Sequence, residues 1–163
     1  MASESSFDVV SEFDTQELHN ALDQTRREIT TRYDFKNITA DIELEKDEIV
    51  ITTAGDMQLR AIVDSLQSKM HKRGLDMRIL DPQKPEDAAK GNIRQHIKLR
   101  RGINEDLARK LSKRIRDDFP KAQVRIQGDQ LRVAAKSKDL LQEVMTSLRE
   151  SDMEVPLQFT NYR

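Results

Sequence analysis

Asn92-Ile-Arg-Gln-His-Ile-Lys-Leu-Arg-Arg101 puts Ile93, Ile97 and Leu99 at odd positions and Arg94, His96, Lys98 and Arg100 at even ones. Side chains of a strand point alternately to its two faces, so this period of two predicts a strand with one apolar and one cationic face. Gln95 is the polar residue on the apolar side. Three cations and a histidine on one face repel one another unless something anionic lies across them. A carboxylate-bearing neighbour strand meets that need, and so does a phosphate-bearing ligand. The stretch by itself leaves both open.

The same pattern occurs earlier in the chain. Ser6–Phe13 reads as a strand, and Asp14-Thr-Gln-Glu17 as a carboxylate cap that starts a helix with the stripe Leu18, Ala21, Leu22, Thr25, Ile29. Ile38–Leu44 and Ile49–Thr53 flank the polar turn Glu45-Lys-Asp-Glu48, the pattern of a hairpin. Asp56 is the expected cap of a second helix (Leu59, Ile62, Val63, Leu66, Met70), which Gly74 ends, and Met77–Asp81 is a short fourth strand. Asp81–Gly91 has two prolines, a glycine and no periodicity, which marks a linker or exposed loop. After it the strand 92–101 leads to Asn104 as cap, a helix with Leu107, Ala108, Leu111 and Ile115 that stops before Pro120, and a hairpin of Val124–Ile126 and Leu131–Val133 around Gly128. Ser137 caps a last helix, and Val155–Phe159 closes as a strand. Strand-helix-strand-strand-helix-strand thus occurs twice, with hairpins about 82 positions apart. The predicted fold is α+β: duplicated ferredoxin-like βαββαβ domains, each a four-stranded antiparallel sheet with two helices on one face. The expected division is 1–81, a linker at 82–91, and 92–163.

With 36% apolar and 4% aromatic residues, the 163-residue chain allows two modest cores rather than one large one. It has no cysteine, so disulfides and thiolate metal sites are excluded. No apolar run approaches the roughly 20 residues of a membrane span and no leader precedes Asp14, so the expected location is the cytoplasm. The near-zero net charge hides an asymmetry. Residues 1–81 hold 10 Lys/Arg against 17 Asp/Glu, and residues 92–163 hold 16 against 10. Such a split implies that the second half meets anions, that the halves attract each other, or both.

Two helices on one side of each sheet leave its other face open. In the first half that face carries Asp8, Val10, Glu12, Thr39, Asp41, Glu43, Val50 and Thr52; in the second it carries Arg94, His96, Lys98, Arg100, Arg125, Arg132 and Lys136. RNA-recognition modules of this topology stack bases on aromatics of the central strands, and Lys98, Arg100, Arg132 and Ala134 supply none. A basic face without aromatics favours phosphate contacts instead. The expected contacts are Lys98, Arg100, Arg132 and Lys136, flanked by Arg94 and Arg125, on strands expected to be neighbours. A basic crevice between the halves, including Arg32, Lys36, Lys72 and Arg73, is the next place an anion would dock. An alternative arrangement exchanges the opening strands 6–13 and 92–101 between the domains, setting Asp8 and Glu12 beside Arg125 and Arg132, and Arg94 and Lys98 beside Asp41 and Glu43. Opposite charges then pair across strands, and much of the basic face is neutralised internally.

No catalytic pattern is visible: His19, His71 and His96 lie on different elements, and the sequence has no HExxH, GxSxG, Walker loop or glycine-rich dinucleotide turn. No metal or other cofactor is expected. His19 and His71 fall on the solvated sides of helical stripes, and the cations of Lys69-Met-His-Lys-Arg73 complement a helix dipole without any ligand.

Ser6-Phe-Asp-Val-Val-Ser-Glu12, Thr31-Arg-Tyr-Asp-Phe35, Lys72-Arg-Gly74, Ile126-Gln-Gly128, Lys138-Asp139 with Leu141-Gln142, and the ending Pro156-Leu-Gln-Phe-Thr-Asn-Tyr-Arg163 together resemble the YajQ family from Ser6 to Arg163. The resemblance implies two ferredoxin-like domains in a small bacterial cytosolic protein that binds nucleotides or nucleic acid without enzymatic activity. The partners it implies are RNA or a nucleotide such as GTP, ATP or cyclic di-GMP, the last attributed to some members. The competing reading of the charge pattern is a protein-interaction module without a nucleotide ligand.

Overall fold

The computed structural model describes residues 4–151 and 153–163. Among these residues there are four α-helices and two antiparallel sheets, the duplicated ferredoxin-like arrangement. In chain order the elements are β1 (Ser5–Val10), α1 (Thr15–Thr31), β2 (Ala40–Glu45), β3 (Glu48–Thr53), α2 (Asp56–Lys72), β4 (Leu80–Pro82), β5 (Glu86–Asp87) and β6 (Ile93–Leu99). The second half adds α3 (Glu105–Asp118), β7 (Gln123–Gln127), β8 (Gln130–Ala135), α4 (Lys138–Glu150) and β9 (Gln158–Thr160).

The helix ends have local causes. Asp14 accepts from the backbone N–H groups of Gln16 and Glu17, Asn104 from that of Leu107, and Ser137 from that of Leu140, each satisfying donors that have no partner inside the helix. Asp56 is the first helical residue of α2, and Gly55 holds the cap position expected of it, so the carboxylate sits within the positive end of the dipole. At the other end Gly74 takes φ +76°, and the N–H groups of Gly74 and Leu75 donate to the carbonyls of His71 and Met70, a Schellman closure. Met77–Ile79 is a 3₁₀ turn rather than strand, because Asp76 caps it through the N–H of Arg78; the strand follows at Leu80. Asp81–Gly91 is also more ordered than a linker: its Glu86–Asp87 pairs with β6.

The sheets have orders β7-β8-β1-β9 and β2-β3-β6-β4, with β5 also on β6. In each, the hairpin pair lies on one side, the closing strand on the other, and a third strand between them. For β7 and β8 that central strand is β1, with Phe7 opposite Val133 and Asp8 opposite Arg132. For β2 and β3 it is β6, with Ile97 opposite Ile49 and Lys98 opposite Glu48. The chain accordingly divides into two compact units, Phe13–Arg100 and the stretch up to Glu12 together with Arg101–Arg163. One core gathers Phe7, Val9, Leu111, Leu131, Val133 and Leu141 under α3 and α4; Phe7 meets Phe159 edge to face, ring centres 5.6 Å apart. The other gathers Leu22, Ile49, Ile51, Ile62, Leu66, Met70 and Ile97 with α1 and α2. No helix among the described residues is long and apolar enough to cross a membrane.

Candidate functional site

The strand order separates the residues expected to share one anion. Arg94 and Lys98 lie on β6, and Arg100 one residue beyond it, all in the 13–100 unit. Arg125 and Arg132 lie on β7 and β8, and Lys136 just past β8, in the other unit. The expectation that Lys98 and Arg132 stand on neighbouring strands therefore fails: β6 is flanked by β3 and β4, and β8 by β7 and β1.

Around β6 the anions are carboxylates of the protein. His96 Nδ1 lies 3.0 Å from Glu48 Oε1, and its Nε2 3.2 Å from Glu86 Oε1. Carboxylates only accept, so a ring bracketed by two of them favours protonation at both nitrogens, and its pKa rises above the usual histidine range, the Glu48 bond contributing most. Lys98 stands in register between Glu48 and Asp81. Arg100 reaches Asp81 at 3.2 Å and donates to the carbonyl of Arg78. Arg94 stands in register between Thr52 and Glu86 and donates to the Thr52 hydroxyl. Asp41, Glu43 and Glu45 line the adjoining 340 Å³ hollow with Arg94 and His96, a lining that repels phosphate. Of the four residues of the expected crevice, all in the 13–100 unit, Arg32 is paired with Asp34 and Arg73 with Glu17, while Lys36 and Lys72 are exposed.

The β7-β8-β1 face differs. Arg125 and Arg132 stand directly opposite each other, like charges in one cross-strand row, and the row continues to Asp8. Asp8 is buried and accepts from Arg132 Nε at 2.9 Å and from Asn161 Nδ2 at 2.8 Å. The Arg132 bond, reinforced by Asn161 and by the charge of Arg163, holds its carboxyl below the usual aspartate range against the opposing effect of burial. One guanidinium is thus oriented by a buried carboxylate, while Arg125 and Lys136 make no ion pair among the described residues. Arg163 joins the same row of strands, since its N–H and C=O both pair with Ser6. Glu4, Ser6, Gln123, Arg125, Arg132 and Ala134 line a hollow of 240 Å³ on this face.

Asn161 and Arg163 were not among the residues expected here. Both depend on pairings across nearly the whole chain, and the only sequence signal is that they close the stretch that resembles the YajQ family. Among the described residues, no group of three His, Asp or Glu side chains is placed to hold a metal ion. His19 and His71 are exposed on their helices.

The chain matches the family described as nucleotide-binding protein YajQ-like over residues 5–163. It is similar to a nucleotide-binding protein of Chloroflexus aurantiacus, with 55% identity over 165 residues and 100% of both chains covered. A nucleotide-binding protein of Synechococcus elongatus is 54% identical over 163 residues, and one of Chloroflexus aggregans 53% identical over 165, again with 100% of each chain covered. With the family pattern spanning both units and relatives of equal extent at more than half identity, the chain belongs to the YajQ family of bacterial proteins.

Proposed function

We propose that the protein binds the phosphates of a nucleotide or nucleic acid, without turnover, on the open face of β7, β8 and β1, through Arg125, Arg132, Lys136 and Arg163. The observation that carries this reading is the opposed pair Arg125–Arg132 with a single buried carboxylate, Asp8, behind it. Opposed like charges are unfavourable unless an anion is shared, and Asp8 neutralises only one of them. The names of the relatives point the same way. A hollow of 240 Å³ is smaller than the roughly 300–1,000 Å³ of sites that enclose a small molecule, so it suits a phosphate held on a surface. This favours RNA over an engulfed GTP, ATP or cyclic di-GMP. Lys98, Arg100 and Arg94, held among carboxylates, are not part of this site.

The clean test uses Arg125→Ala with Lys136→Ala, since among the described residues neither side chain has an ion-pair partner whose loss would disturb the fold. Each lost phosphate contact reduces the log-log salt slope by about 0.7–0.9, so the double variant should flatten the slope for RNA by about 1.4–1.8 without lowering its melting temperature, whereas Lys98→Ala should leave the slope alone. Absence of binding to RNA, GTP, ATP and cyclic di-GMP at about 50 mM salt, where screening is weak, would refute the proposal. A second reading, a site for a basic protein partner, has the acidic row Asp41, Glu43 and Glu45 on the edge strand β2 in its favour. Capture of one defined partner, insensitive to nuclease, is its test.

A further inference from the structure

Tyr33 is 88% exposed, the most exposed large hydrophobic side chain of the described residues. It opens a 3₁₀ turn, Tyr33–Phe35, that follows directly on α1. The turn is fixed on both sides of the ring. Phe35 is buried in the core of the 13–100 unit, Arg32 lies over the Phe35 ring at 5.4 Å, and Arg32 grips Asp34 through Nε at 3.0 Å and a terminal nitrogen at 2.8 Å. The N–H of Lys36 donates to the carbonyl of Tyr33, and that of Ile38 to the carbonyl of Phe35. The aromatic ring is thus held out by a hydrogen-bonded turn, and among the described residues it is not part of either core cluster.

The surroundings decide what kind of ligand fits it. Thr30, Thr31, Asp34, Lys36 and Asn37, its neighbours along the chain, are all exposed and polar, so the chain on either side of the ring adds no apolar side chain to a protein-docking patch. Arg32 and Asp34 neutralise each other, whereas Arg27 and Lys36 are exposed and make no ion pair among the described residues. Asn37, in the left-handed region at φ +60°, adds an exposed amide that can donate and accept. A flat ring, two available cations and an amide match a nucleobase with its phosphates. We infer that Tyr33 is a stacking platform for a base of single-stranded nucleic acid, with Lys36 and Arg27 contacting the adjacent phosphates. Stacking of this kind tolerates any base, because every base presents a π face. The inference rests on the reading that the protein binds nucleic acid, and it adds a base contact outside the sheet faces.

The chain has no tryptophan, so Tyr33→Trp carries a single tryptophan, at the proposed contact, whose emission can be excited apart from that of Tyr162. A 12-nucleotide oligoadenylate should quench that emission, and Tyr33→Ala should bind the labelled oligomer about 5- to 150-fold more weakly, the equivalent of about 1–3 kcal/mol for one stacked base. Tyr33→Phe, which keeps the ring, should retain the affinity, and Lys36→Ala should lower the salt slope by about 0.7. The melting temperature of Tyr33→Ala should stay that of the wild type. If the wild type binds the oligomer but Tyr33→Trp is not quenched, or Tyr33→Ala binds as well as the wild type, the stacking inference falls and the phosphate face stands. If the wild type does not bind the oligomer at about 50 mM salt, the stacking inference falls, and the phosphate face falls with it only if RNA, GTP, ATP and cyclic di-GMP also fail to bind.

Discussion

Asp8 shows how one residue can serve fold and site together. A buried carboxylate is costly unless charge and hydrogen bonds compensate it, and here Arg132 and Asn161 donate to it while Arg163 adds a nearby charge. Asp8→Asn keeps the shape and removes the charge. Because 38% of the Arg132 side chain is exposed, its guanidinium can turn to water, so the loss should be about 1–3 kcal/mol rather than that of a fully buried pair, read from a denaturant melt. The sign with pH follows from the direction of the shift. The folded pKa lies below the ordinary 3.8, so the unfolded chain takes up the proton first; the stabilisation is full above 3.8 and is lost as the pH falls from there through the folded value. The wild type should therefore lose stability over that interval more steeply than Asp8→Asn, and parallel profiles would show that the carboxylate contributes nothing. Arg125 and Arg132 were assignable to one face from the sequence because alternation places them. Asn161 was not, since its position on Asp8 depends on the closing strand and on a left-handed φ of +53°.

Among the elements, β5 is where sequence reading and structure differ most. Pro82, Pro85 and Gly91 mark the segment as loop, and a strand of two residues is too short to show a period. What holds it is tertiary: Glu86 pairs with Arg94 in register, the N–H of Gln83 donates to the carbonyl of His96 and that of Ala88 to the carbonyl of Asn92. The helices, by contrast, were legible because their apolar stripes and caps are local, even though Gly55 rather than Asp56 holds one cap position. His96 ties β5 to β3 through Glu86 and Glu48, with Arg94 and Lys98 on its own strand and Glu43 beyond Val50 on its other side. Its folded pKa is raised above 6.5, so its contribution is full below 6.5 and lost as the pH rises through the folded value. After correction for intrinsic exchange, the amides of Gln83 and Ala88 should be better protected at pH 6 than at pH 8, and His96→Gln should remove the difference. Equal protection at the two pH values in the wild type would show that the bracket does not hold the segment.

Over the whole molecule, the partition of strands changes the meaning of the charge. The sequence halves are unbalanced, but the compact units are not: Phe13–Arg100 holds 15 Lys/Arg against 16 Asp/Glu, and the remainder 13 against 13. The basic character of residues 92–163 is therefore largely answered by Glu4, Asp8 and Glu12 from the start of the chain and by the loss of β6 to the other sheet. Periodicity could not select between the two partitions, because β1 and β6 have the same alternation and either one fits the centre of either sheet. The consequence for folding is asymmetric. Residues 13–100 contain every buried member of their core and the sheet order β2-β3-β6-β4, so this fragment should fold alone with a cooperative melt. Residues 92–163 lack Phe7 and Val9, both fully buried, and the central strand that bonds β8 on one side and β9 on the other. Burial of two such side chains is worth about 1.5–3 kcal/mol each, comparable with the few kcal/mol that hold a domain of this size together. The 92–163 fragment should therefore lack protected sheet amides by itself, and a peptide of residues 4–12 added in trans should restore them. If the fragment instead folds unaided, with residues 93–99 at the centre of its sheet, the partition is not a requirement of this sequence, and the units would be the two consecutive halves of the chain.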